Sequence, residues 1–380
     1  MSVKVSAPVT LYRSKRFFSA FPSVVTLTSG AIALAFRRAP DHRWLLGDIT
    51  EQDFNSVDHV HFRSHVAFQT FGQDLTPCGE PVILPVHAEA ADQDGNLFLS
   101  STGRLFQYSF RWYPVTVETR NALETQGASY LSSEHYGAAY IFHSSYIRYS
   151  DDEGATWSEP FDTPQDPLMT PPKWPEITGN GAFKGRMLEC MNGDLLAAAY
   201  HWGIEGEENS VTRLFRSVDE GLTWQYQDGY VSAGEVGLQE PTLVHWPKGK
   251  ITAFHRSSNN DDQLVICQSS DDGLTFGAAQ TIEIIGHPYD ALVLPDGRLF
   301  LSYGYRHAPM GVRARLVDVG QNLVDAPEII IRDDCPCRDT GYPSATLLDD
   351  GRILLAYYFT DPKGIRGIEA SIVEIEQDRK

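Results

Sequence analysis

At 380 residues and a formal charge of −19, the chain opposes phosphate backbones and anionic bilayers, so neither nucleic acid nor a membrane is an expected partner. Its 19 Phe, 17 Tyr and 7 Trp, with 31 Gly and 22 Pro spread along the chain, describe many short strands joined by tight turns, an all-β protein rather than a disordered one. The first residues lack the apolar core of a signal peptide, no run reaches the roughly 20 apolar residues of a membrane span, and five sparse cysteines suit free thiols, so a cytoplasmic protein is expected.

In chain order, Val3 to Tyr12 alternates through Val5, Val9 and Leu11 and is the strand expected to close the last sheet. A first hairpin follows, Pro22 to Phe36 around Gly30. Next comes a carboxylate-rich stretch, residues 47–61, that holds Asp53, Asp58, His59 and His61, with His65 just beyond. These histidines lack a helical pair and a clear third ligand, so no metal and no cofactor are expected. Residues Glu89 to Gly95 set Asp92 and Asp94 at i, i+2 before a strand, suited to holding substrate hydroxyls or an arginine. Further hairpins run from Asn96 to Phe106, Met187 to Leu196, Pro241 to Phe254, Ala291 to Phe300 and Pro343 to Leu354. Each joins two apolar strands through a Gly-containing turn, and the second strand ends in aromatics or Arg. A hairpin this small cannot bury both its faces, so six of them stack radially as one six-bladed β-propeller over residues 1–380. Tyr303 to His307, in the fifth unit, places Arg306 among aromatics, a composition suited to a sugar. Cys335 and Cys337, without a second pair, are a weak metal signal.

One octapeptide recurs at residues 150–157, 217–224 and 269–276 as S-x-D-x-G-x-T-[WF]. The side chains of Asp152, Asp219 and Asp271 can each accept backbone N–H groups of a turn, the Gly takes positive φ, and the terminal ring packs between sheets. Ser64 to Phe71 reads as a degenerate fourth copy.

This pattern resembles the Asp box of the sialidase superfamily, a set of six-bladed propellers, and the resemblance covers nearly the whole chain. It implies a Tyr nucleophile activated by Glu, an Asp acid/base and three arginines on a substrate carboxylate. A phenol suits that task because a carboxylate nucleophile would be repelled by the sugar's own charge. On the family's motifs, Tyr342 before Pro343 is the implied nucleophile and Glu240 before Pro241 its base. Arg256 and Arg313 are the implied second and third arginines, and Asp58, then Asp53, the acid/base. His61 is a further candidate at the site, since an imidazole can serve as acid or base. The family's first arginine is replaced by Ala20, and its carboxylate partner is missing at Tyr357-Tyr358, with Arg16 and Arg37 as the remaining nearby guanidinium sources. The expected protein is an exo-acting hydrolase of an acidic carbohydrate other than an ordinary sialoside. A uronate-specific lyase using Tyr or His, or a sugar-binding propeller without catalysis, are the alternatives.

Overall fold

Strand segments of this length pair first with their chain neighbours, because closing a short turn costs little entropy. The computed structural model describes residues 2–46, 60–127, 131–135, 137–168 and 181–376, and in these residues the pairs build six antiparallel sheets. The first consists of Phe17–Thr26, Ile32–Pro40, His65–Phe71 and Val82–Ile83. The second is larger: Ala91–Asp92 and Asn96–Leu99 share the inner position, Leu105–Val115 and Ala138–Ser150 form the middle, and Phe161–Asp162 and Leu131–His135 lie outside. A helix, Val117–Thr125, is inserted within this blade, its N-terminus capped by the Thr116 hydroxyl accepting the Thr119 N–H at 3.2 Å. Blade three runs from Ala182–Phe183 to Gln225–Tyr226, blade four from Gly237–Trp246 to Gln280–Ile285, and blade five from Tyr289–Val293 to Glu328–Arg332. Blade six joins Gly341–Leu347, Ile353–Thr360 and Arg366–Glu376 to the N-terminal strands Ser2–Val5 and Val9–Arg13.

The inner strands pack on one another around the ring, and an apolar cluster fills each space between adjacent blades. Phe36 with Tyr358 joins blades one and six, for example, and Phe106 with Phe215 joins two and three. Burial of these faces supplies most of the stabilisation, at about 25 cal/mol per Å² of apolar surface.

The three octapeptides form identical turns. Asp219 accepts the Thr223 N–H at 2.9 Å and the Thr223 hydroxyl at 2.6 Å, while Trp224 donates its indole N–H to the Gly221 carbonyl at 3.1 Å. Asp152 and Asp271 repeat the pattern. At Gly154 (φ +92°) a Cβ would lie 2.5 Å from the Phe68 ring of the preceding blade, so only Gly lets the turn approach. The expected fourth copy is not a turn. Ser64 to Phe71 is largely the third strand of blade one, and the turn beyond it uses Asp74 to accept the Thr76 N–H at 3.0 Å. The Ser, Thr and aromatic of that stretch reflect strand alternation, which mimics the box spacing.

Candidate functional site

Three inner strands share one local irregularity. The ladder slips between Ala20 and Ser23, between Gln239 and Thr242, and between Gly341 and Ser344. In each slip the residue before proline takes left-handed φ: Phe21 at 55°, Glu240 at 47° and Tyr342 at 49°. Proline cannot donate to a ladder, so it sits easily in a bulge, and the bulge re-aims the preceding side chain. Non-glycine residues held at positive φ carry strain that the surrounding fold must offset, and such positions concentrate at functional sites. Here all three side chains line one cavity of about 490 Å³.

Tyr342 donates its hydroxyl proton to Glu240 Oε1 at 2.5 Å, and both side chains are buried. Arg256 Nη1 donates to Glu240 Oε2 at 3.1 Å, and the Arg256 side chain keeps 23% exposure on the cavity. Burial alone would raise the Glu240 carboxyl, but Arg256 and the Tyr342 hydroxyl outweigh it and hold it at about 2. The Tyr342 phenol is driven well above its ordinary value, by burial first and then by the Glu240 charge. The pair therefore rests as a neutral phenol beside a carboxylate ready to take its proton.

Three further cations approach this pair. Arg306 lies 5.5 Å from the Tyr342 ring centroid and donates to the Tyr358 hydroxyl at 2.9 Å and to Asp339 Oδ1 at 3.2 Å. Lys184 Nζ sits 5.2 Å from the same centroid, donates to Asn96 Oδ1 at 3.0 Å and stands 3.9 Å from Asp94 Oδ2. Arg37, fully buried, is the cross-strand neighbour of Ala20 and stacks 5.6 Å from the Phe21 centroid, behind the cavity wall. Asp94 lines the cavity, and burial raises its carboxyl to about 6 although Lys184 pulls the other way. An aromatic wall that includes Phe110, Trp112, Tyr200 and Trp202 lines the same cavity.

The structure thus brings Tyr342, Glu240, Arg256, Arg306 and Asp94 together. It separates Arg313, whose guanidinium is bound to the Arg332 carbonyl and to the Pro309 carbonyl at 2.9 Å, with Glu328 3.5 Å away on the outer strand. Arg313 lies on the third strand of its blade, whereas Arg37, Arg256 and Arg306 all lie at or just past the end of a second strand. That shared position was readable as the Arg ending each hairpin, and it marks Arg306 rather than Arg313. Asp92 also stays outside the cavity. It faces Arg111, its ladder partner, at 3.8 Å, and burial raises its carboxyl. The strand breaks at Gln93 to Gly95, where a Cβ on Gly95 would lie 2.7 Å from the Phe36 nitrogen, so Asp92 and Asp94 do not share a face. His61 is buried behind the wall, its Nδ1 accepting the Arg63 N–H at 3.0 Å and its ring stacked 4.6 Å from Phe62. Asp53, Asp58 and His59 lie outside the described residues. Lys184, Asp339 and the aromatic wall had no signal in the sequence, since each matters only through neighbours on other blades.

Tyr358, standing where a carboxylate was expected, donates to Asp339 Oδ1 at 2.5 Å, and Asp339 Oδ2 accepts from Arg366 Nη1 at 2.9 Å. One half-buried carboxylate from the loop before blade six thus holds Arg306, Tyr358 and Arg366 in place.

Residues 131–355 match the BNR repeat-like domain family. A protein of unknown function from Dyadobacter fermentans is 33% identical, covers 98% of this chain with 99% of its own, and superposes with a TM-score of 0.86. The NanB sialidase of Streptococcus pneumoniae is 13% identical over 96% of this chain and 70% of its own, with a TM-score of 0.62. The Trypanosoma rangeli sialidase in complex with sialic acid is 15% identical over 97% and 58%, with a TM-score of 0.61. No curated protein matches the chain. The match over more than half of the chain, the six blades and the three Asp-box turns lead to one conclusion: the chain belongs to the BNR repeat-like domain family and is a six-bladed β-propeller with the sialidase fold.

Proposed function

We propose that the protein is an exo-acting glycoside hydrolase of an acidic sugar other than an ordinary α-sialoside. The observation that carries this reading is the 2.5 Å hydrogen bond from Tyr342 to Glu240 in a cavity that Arg256 lines, with Arg306 5.5 Å from the Tyr342 ring centroid. In the first step the Tyr342 oxygen bonds to the anomeric carbon, its proton passes to Glu240, and the glycosidic oxygen leaves with a proton from a general acid. Water then breaks the tyrosyl bond. The general acid is assigned to Asp58, then Asp53, and Asp94 to holding a sugar hydroxyl. Arg256 and Arg306 neutralise the substrate carboxylate, and the aromatic wall packs against the ring.

The chemistry of blade one argues against sialosides. Ala20 offers no guanidinium, and Arg37, the nearest replacement, is sealed behind Phe21. Losing one bidentate arginine contact lowers turnover of a carboxylated substrate by roughly 10²-fold. An aryl sialoside assayed beside a panel of uronide-containing oligosaccharides is expected to give little release from the first and measurable release from a member of the second. Sialoside kcat/KM above about 10⁴ M⁻¹s⁻¹ would overturn this assignment.

A second reading is supported by the cations around Tyr342. Once its proton has passed to Glu240, Tyr342 among Lys184, Arg256 and Arg306 also suits abstraction of the proton beside a uronate carboxylate, as in a lyase. The two differ in product: elimination leaves an ultraviolet-absorbing unsaturated sugar and hydrolysis does not. Binding without turnover would identify a sugar-binding propeller.

A further inference from the structure

The ring that ends each Asp box closes the space toward the preceding blade. Trp157 of blade two stands edge-on to Phe68 of blade one at 5.3 Å, Trp224 of blade three packs 5.7 Å from Phe215 in the cluster shared with blade two, and Phe276 of blade four joins the cluster shared with blade three. Blade five breaks the series. Its corresponding turn, residues 318–327, has no Asp-x-Gly-x-Thr and no aromatic ring. Leu323 and Val324 stand in that stretch, with Val324 46% exposed. An open cavity of about 580 Å³ lies there between blades four and five.

Its walls are Trp246, Phe254, Ile266, Leu299, Val317 and Val324. The Trp246 indole is pinned by donating to the Thr252 hydroxyl at 3.0 Å, so one ring face is fixed as a wall. Gln268 donates to the same hydroxyl at 3.4 Å and supplies an amide edge. The site is remote from Tyr342 and Glu240. The strand Gly237–Trp246 carries Glu240 near its start and Trp246 at its end, six residues or roughly 20 Å apart.

We propose that this gap is a binding site for a neutral aromatic small molecule of indole size. Three interblade spaces are closed by the ring that ends an Asp box, and here the outer turn supplies none while the walls keep Trp246 and Phe254. A cavity of a few hundred Å³ with apolar and aromatic walls and a few amides is the usual form of a small-molecule site, and its two charged lining residues, Lys250 and Asp318, are of opposite sign and favour no net ligand charge. The proposal is independent of the chemistry assigned to the Tyr342 cavity.

Titration of the full chain with indole is expected to raise the melting temperature by at least about 1 °C at millimolar ligand. Val324→Trp, which places a ring in the gap, is expected to abolish that response and to raise the melting temperature of the unliganded protein. A crystal soaked in 5-bromoindole gives a reading that does not depend on the variant folding: a bromine peak between blades four and five supports the proposal. A peak only in the Tyr342 cavity, no peak at all, or an indole response undiminished in Val324→Trp overturns it.

Discussion

At the scale of single residues, the decisive geometry is a neutral phenol donating to a depressed carboxyl. Tyr342→Phe removes the nucleophilic oxygen and Glu240→Gln removes the proton acceptor. Each is expected to lower kcat by at least about 100-fold on the best acidic glycan while circular dichroism and melting temperature stay near those of the parent. Near-parental kcat in both would remove the basis for the assignment. Lys184 acts differently, as a positioning residue between Asp94 and the Tyr342 face. Its charge favours the Asp94 carboxylate, so Lys184→Met is expected to move the Asp94 ionisation upward from about 6. The pH profile of kcat/KM reads this directly, and an unshifted profile would leave Lys184 a packing residue only. Leaving groups separate the two carboxylates: Asp58→Asn is expected to lose more on alkyl than on activated aryl glycosides, and Asp94→Asn to lose equally on both.

At the scale of elements, turns and bulges divide the labour. The Asp-box turns at one end of the blades hold sheets together, and the proline-linked bulges at the other end aim side chains into the cavity. Asp219→Ala or Trp224→Ala should therefore lower stability by about 1–4 kcal/mol, through lost turn hydrogen bonds or a cavity beside Phe106 and Phe215, with kcat per folded molecule retained. Urea denaturation combined with active-site titration measures both quantities at once. A selective loss of kcat with stability unchanged would mean that the boxes reach the site.

For the whole molecule, burial holds at least five histidines of the described residues in the neutral form. Burial lowers His61, His201 and His287 to about 3, and His65 and His255 to about 4. Because each folded pKa lies below the unfolded value of about 6.5, their contribution is complete above that pH and is lost as pH falls toward 3. Asp94 works in the opposite sense: raised to about 6, its contribution is present below about 4 and lost as pH rises through 6. The five histidines outnumber the two raised carboxylates, Asp92 and Asp94, and decide the sign. The melting temperature is expected to fall by more than about 5 °C between pH 7 and pH 5, checked by scanning calorimetry, and a flat profile over that range would contradict the burial of these rings.

The blade count and the box turns were legible in the sequence because they are local: an apolar strand, a glycine turn and an Asp capping its own loop are complete within a dozen residues. Glu240 and Tyr342 were legible for the same reason, each marked by the proline that follows its bulge. The partner set was not local. The strand-end position distinguishes Arg306 from Arg313 along the chain, but only the folded structure shows Arg313 spent on the carbonyls of Pro309 and Arg332 and Arg306 facing Tyr342. Asp92 and Asp94 look like a pair, yet the strand break forced by the close approach of Gly95 to blade one sends them to different neighbours. Lys184 reaches Tyr342 from three blades away. Such contacts join different strands and blades, and their identity depends on side-chain direction after the ring has closed, which periodicity and motif spacing do not encode.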